Sequence, residues 1–169
     1  MTLELFLDIL QLLVTLAGCG CSVLLYCKSR RQHYFLLTCF YGCFSLGLFY
    51  WTIYLLLFDK TPQLLYVTEI AWLSALIFLG MLQYTFSSQE ERTFWCPAMW
   101  LAPVTGVATM VVYWLCGGVL FTMLRFSLSV MLVWKNIQSL CYLAAQKQPA
   151  PQLRTFYIAV LTFVAAEYA

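Results

Sequence analysis

Apolar residues run in long stretches separated by short polar connectors, and the pattern reads as six helical segments: 5–27, 34–58, 64–86, 97–116, 119–145 and 155–169. Each of the first five is as long as the roughly 20 residues that an α-helix needs to cross a hydrocarbon core about 30 Å thick. The sixth, with 15 residues, covers only about 22 Å at ~1.5 Å per residue. A chain end inside hydrocarbon is costly, so residues 1–169 read as one transmembrane domain that is a C-terminally truncated fragment. The connectors are KSRRQH, DKTPQ, SSQEER, the pair Gly117-Gly118 and QKQPAPQLR. All are short, which predicts antiparallel neighbours in an all-α, polytopic transmembrane helical bundle of about six spans, the last one incomplete.

Polar positions inside the segments are themselves periodic. Glu4, Asp8, Gln11, Thr15, Gly18 and Ser22 recur every three or four residues and form one helix face. Small and polar stripes allow close helix–helix approach, so this face is expected to point into the bundle. Thr38, Gly42, Ser45 and Thr52 repeat the pattern in the second segment, and Arg125, Ser129, Leu132, Asn136 and Ser139 repeat it in the fifth, with Lys135 at the margin.

Composition agrees with a bilayer solvent: 63% of the 169 residues are hydrophobic and 9% are charged, against roughly 25% charged in soluble domains. The formal charge of +2 comes with no basic stripe outside the apolar runs, so nucleic acid is not an expected partner. Basic residues gather in the first, third and fifth connectors, which by the positive-inside rule places the N-terminus on the outer side of the membrane. The acidic opening, Glu4 and Asp8, is unlike a secretory signal, which begins with a basic region.

Charges within the segments are the candidate functional positions. Glu69 and Arg125 both fall about 8–9 Å below the outer boundary, and Lys135 and Glu167 both fall about 17–18 Å from the inner one. The matched depths predict two acid–base pairs, with Asn136 supplying polar atoms beside Lys135. Each pair can serve as helix–helix glue, or as an intramembrane site for an ion or ligand.

Conventional chemistry finds little support. The single histidine, His33, lies in a basic connector and suits an interfacial anchor. The eight cysteines lie in or beside apolar runs without a CxxC pair, so they read as small packing residues rather than metal ligands. No phosphate-binding, dinucleotide-binding or nucleophile-elbow motif occurs. Neither a catalytic residue, a cofactor nor a metal is expected. A retinal-type role for Lys135 lacks a matching aspartate stripe. The two Pro-Gln dipeptides lie at helix starts, where proline is ordinary.

The run FYWTIYLLLFDKTPQLLYVTEIAWLSALIFLGMLQ, residues 49–83, resembles the polytopic membrane regions of bacterial sensory proteins and of related stand-alone membrane proteins of unassigned function. Its matching features are an aromatic helix end, an acid-and-proline turn, and an acidic residue followed at three by tryptophan. The resemblance covers about a fifth of the chain and implies an outward-facing or membrane-embedded sensor, with Glu69 and Trp72 at the matching positions. The chain thus reads as a non-enzymatic membrane protein, a sensor or interaction module, whose partners are the lipid bilayer and a membrane protein or a second copy of itself. The alternative is a small transporter, or part of one, with a polar path between helices.

Overall fold

The computed structural model describes residues 3–58, 66–114, 119–146 and 151–166. Regular structure among them is entirely helical: α1 (Leu3–Ser29), α2 (Gln32–Phe58), α3 (Tyr66–Phe86), the short α4 (Gln89–Thr93), a 3₁₀ turn (Pro97–Trp100), α5 (Leu101–Trp114), α6 (Val119–Gln146) and α7 (Pro151–Ala166). Three helices are long and apolar enough to cross a bilayer, over residues 5–29, 32–58 and 67–86. Contacts divide the chain into two compact units, Met1–Leu82 and Gln83–Ala169, with the boundary inside α3.

In the first unit α1 and α2 form a hairpin. Lys28 lies in the last turn of α1, where a cation complements the helix dipole. The chain then reverses at Arg30, whose φ of 52° is left-handed and whose N–H donates to the Tyr26 carbonyl at 2.7 Å. Glycine is the usual residue at such a helix end because it has no Cβ to crowd the carbonyl. Arg30 instead sets its guanidinium 5.8 Å from the Tyr26 ring centroid.

The predicted small-polar face of α1 is turned inward at Thr15 and Ser22, both buried, and at Gly18, whose missing side chain admits the Tyr41 ring. Gln11, on the same expected stripe, is exposed. On α2 the buried positions are Leu36, Phe40, Phe44, Ser45, Gly47, Leu48 and Thr52. A Cβ added at Gly47 would lie 3.0 Å from the Trp72 indole nitrogen, so this glycine sets how closely α3 approaches. The opposite faces carry exposed leucines, including Leu24 at 71% and Leu57 at 67%.

The second unit packs α5, α6 and α7 together, with α4 and the 3₁₀ turn laid against α6. Gly106 is the close-approach point of α5 and α6: a Cβ there would collide with Val130 and stand 2.6 Å from Phe126. Ala102, Leu132, Tyr157, Val160 and Val164 form the apolar core.

Two sequence expectations change here. The fourth segment is not one continuous α-helix: residues 97–100 form a 3₁₀ turn with Pro97 at its start, and α-geometry begins at Leu101. Proline lacks the N–H of a helix interior but fits a first turn, so the change of helix type falls where the sequence places it. The SSQEER connector, read as a loop, contains a helical turn. Ser88 accepts from the Glu91 N–H at 3.2 Å while Glu91 Oε2 accepts from the Ser88 N–H at 3.3 Å, a reciprocal cap that closes α4.

Candidate functional site

A polar cluster in the second unit joins α4 to α6 and α7. Its centre is Gln138, 5% exposed, whose Nε2 donates to the Phe94 carbonyl at 2.6 Å and to the Arg92 carbonyl at 3.2 Å. Those carbonyls end α4, where no further helical N–H follows to receive them. Gln138 Oε1 in turn accepts from Lys135 Nζ at 3.0 Å. One amide therefore satisfies a helix end and receives an ammonium.

Two further contacts extend the cluster. Tyr142, one turn after Gln138, donates its hydroxyl to Glu90 Oε2 at 3.0 Å and sets its ring 5.6 Å from that of Phe94. Tyr157 of α7, 1% exposed, donates to Glu91 Oε1 at 3.4 Å. Glu91 is itself 5% exposed, and its two oxygens are divided between the α4 cap and the α7 tyrosine. A buried carboxylate held this way ties local helix formation to long-range packing.

Arg92 completes the outer side. Its guanidinium lies 3.6 Å from the Tyr84 ring centroid, and its nitrogens donate to the Tyr84 hydroxyl at 2.7 Å, the Tyr84 carbonyl at 3.1 Å and the Ser87 carbonyl at 3.2 Å. Lysine could not reproduce this planar fork. Segment 84–94 is thus fastened by named polar contacts to α6 and α7 and closed on itself.

The residues singled out in the sequence fall apart into several settings. Trp72 packs on Gly47 and lies 6.4 Å, ring to ring, from Trp51, so it joins α2 and α3. Glu69, one turn earlier on α3, is half-buried, as is Asp8 on α1. Arg125 is half-buried on α6; it belongs to the second unit and Glu69 to the first, so that pair is not defined within either. Glu167, the expected partner of Lys135, lies outside the described residues, and Lys135 bonds Gln138. Asn136 is fully buried, its Nδ2 donating to the Leu132 carbonyl at 2.9 Å and its Oδ1 left without a hydrogen bond.

Gln138, Glu91, Tyr142 and Tyr157 were not among the expected site residues. Gln138 follows Lys135 by one turn, and Ser88-x-x-Glu91 matches the cap signature, so local signals existed for both. Nothing local marks Tyr157 as their partner.

Most small hydroxyls of the predicted stripes bond within their own helix: Thr15 to the Leu12 carbonyl, Ser22 to Gly18, Thr38 to Tyr34 and Ser45 to Tyr41. A cavity of about 270 Å³ in the second unit is apolar, lined by Gly106, Phe126, Val130, Val133 and Val164 with Ser129 at its wall. Among the described residues no three or more His, Cys, Asp or Glu side chains form a metal-holding group.

Among the described residues these features define an all-helical chain with three helices long and apolar enough to cross a bilayer. Comparison with protein-family models, curated proteins and solved structures finds no match.

Proposed function

We propose that the chain is a non-enzymatic, multi-pass membrane protein with its N-terminus outside, acting as a membrane-embedded sensor or interaction module of a bacterial inner membrane. In this reading six segments enter the bilayer, and the segment 84–100 lies at the inner side, where the basic connectors gather. The polar cluster around Gln138 carries the proposal. Carbonyls buried against α6 need partners away from water, and Gln138 supplies two of those bonds from that helix. Because Lys135, Gln138, Tyr142 and Tyr157 reach this segment from α6 and α7, a change in helix packing transmits directly to its position.

A transport path fits less well. The stripe hydroxyls are turned to their own carbonyls, and the cavity in the second unit is apolar, which suits close packing more than passage of a polar solute. The resemblance of residues 49–83 to sensory membrane regions supports the same choice, and Trp72 acts within it as a packing anchor.

Single cysteines at Thr61 and Gln148, introduced after removal of the native thiols, test the topology with an impermeant thiol reagent. The two positions should label from opposite sides, whereas labelling of both from one side would refute the arrangement. Proteoliposomes then separate the two roles: vesicles containing the protein should hold an imposed ion gradient as long as protein-free vesicles. A specific, saturable leak would make the transporter reading the better one.

A further inference from the structure

The apolar cavity of about 270 Å³ in the second unit is a recess with α6 as its floor and α5 and α7 as its walls. Phe126, Ser129, Val130 and Val133 supply the floor from one face of α6, a row about 10 Å long at ~1.5 Å per residue. Thr105 of α5 and Ala165 of α7 also line it and are exposed, whereas Ser129 is buried, so the mouth lies between α5 and α7. Val104, beside Thr105, is exposed as well and carries an apolar surface up to that mouth.

The wall decides what can fill the recess. A buried water needs roughly two to four polar partners, and the Thr105 hydroxyl is shared between the Leu101 and Ala102 carbonyls at 2.9 and 3.0 Å. Among the described residues no buried side-chain atom of the lining lacks a hydrogen bond, so a quinone, a sugar or a nucleotide would meet no unsatisfied donor or acceptor. Left empty, the lining forfeits its dispersion contacts on one side. An apolar cavity of about 150 Å³ stays dry and takes up benzene, with its six carbons, so by volume this recess holds about ten or eleven.

We propose that the recess holds one acyl chain of a bilayer phospholipid, with the phosphate at the Arg125 end. The inference rests on the membrane reading above, which surrounds the mouth with such chains. Arg125, half-buried, precedes Phe126 by one residue and Ser129 by one turn, so the row has a cation at its end and hydrocarbon along its length. A phospholipid has the matching order, an anionic phosphate that suits a guanidinium and then a tail. The tail leaves one apolar medium for another, and what favours the exchange is the contact regained by the lining. The gain therefore stops once the recess is full.

The test uses the full chain, stripped of lipid in a sterol-based detergent, whose rigid rings do not match a single-chain recess, and then offered phosphatidylglycerols of increasing chain length. Native mass spectrometry should find one phospholipid retained per chain, and the unfolding midpoint should rise with chain length and level off near about ten carbons. Ala165→Phe and Thr105→Phe, which set a ring across the mouth, should abolish both the retention and the length dependence. Met131→Phe, on an exposed part of the same α6, should behave as the parent does. Arg125→Gln should weaken retention of phosphatidylglycerol but not of diacylglycerol with the same chains. If the mouth variants fail to fold, the parent chain decides: phosphatidylglycerol with methyl-branched chains, too wide for the recess, should not be retained. Retention of lipid by the mouth variants or of branched chains by the parent, unchanged retention by Arg125→Gln, or a lipid-free dimer in which a second copy covers the mouth would overturn the assignment. Thiol labelling reads the topology without any lipid retention, so failure of the membrane reading and failure of the recess are separate results.

Discussion

Lys135 places its ammonium 3.0 Å from Gln138 Oε1, one helical turn further along α6, and the same amide group holds the end of α4 through its nitrogen. A cation in an apolar run is thereby joined to a neutral oxygen already oriented by two backbone carbonyls. The orientation is self-consistent, because an amide whose nitrogen faces carbonyls must present its oxygen the other way.

Gln138→Leu keeps much of the volume but strands two carbonyls and the lysine. The expected loss is about 2–4 kcal/mol, since each abandoned buried polar group costs roughly 1–3 kcal/mol. Gln138→Glu should lose nearly as much, because a carboxylate repels the carbonyls even while it attracts Lys135. Thermal unfolding in a fixed detergent, together with protease cutting near residues 93–96, reads both; a neutral leucine variant would show that the amide does not hold α4.

The contact between Tyr157 and Glu91 is long at 3.4 Å, and a modest coupling follows. Tyr157→Phe combined with Glu91→Gln in a double-mutant cycle should give an interaction energy of about 0.5–1.5 kcal/mol. Strict additivity would mean that the two side chains act separately.

Gly106 and Gly20 make a matched comparison. The first has no room for a methyl group against Val130 and Phe126, while the second has open space and lies on an exposed face of α1. Gly106→Ala should destabilise by about 1–3 kcal/mol through overpacking. Gly20→Ala should stabilise by up to about 1 kcal/mol through helix propensity. Unfolding midpoints of the two variants should therefore move in opposite directions.

Asn136 offers a third kind of change. Its buried Oδ1 has no hydrogen bond, so Asn136→Leu removes an unsatisfied group along with one bond to the Leu132 carbonyl. The variant should be as stable as the parent or more so, by up to about 1–2 kcal/mol. A large loss would assign that oxygen a partner that matters.

Much of the helical layout follows from short-range signals, and the polar cluster does not. KSRRQH and SSQEER mark helix ends through charge, and Gly18 and Ser22 mark the face of α1 that meets α2, all within a turn or two of the residue concerned, whereas the apolar run from residue 97 reads as one helix and hides the 3₁₀ turn at its start. Gln138 bonds carbonyls 44 and 46 residues away, and Tyr157 reaches a carboxylate 66 residues away. No periodicity encodes such distances. The charge of Lys135 is conspicuous in an apolar run, yet depth alone matches it with Glu167, since depth says nothing about which side chain stands one turn along the same helix.

Arg30 bears on how the chain is made as well as on how it folds. With only Arg30 and Arg31 between α1 and α2, and the first of them in a left-handed bend, the connection between the two helices has almost no slack. Under the proposed topology, two arginines at the bend would resist translocation, and the pair would enter a bilayer sideways as one hairpin. A residue that resists positive φ at position 30, such as valine, would strain the bend, and the penalty would appear in the fraction of newly made chains that insert with both helices across, a quantity that the melting temperature of the finished protein does not report.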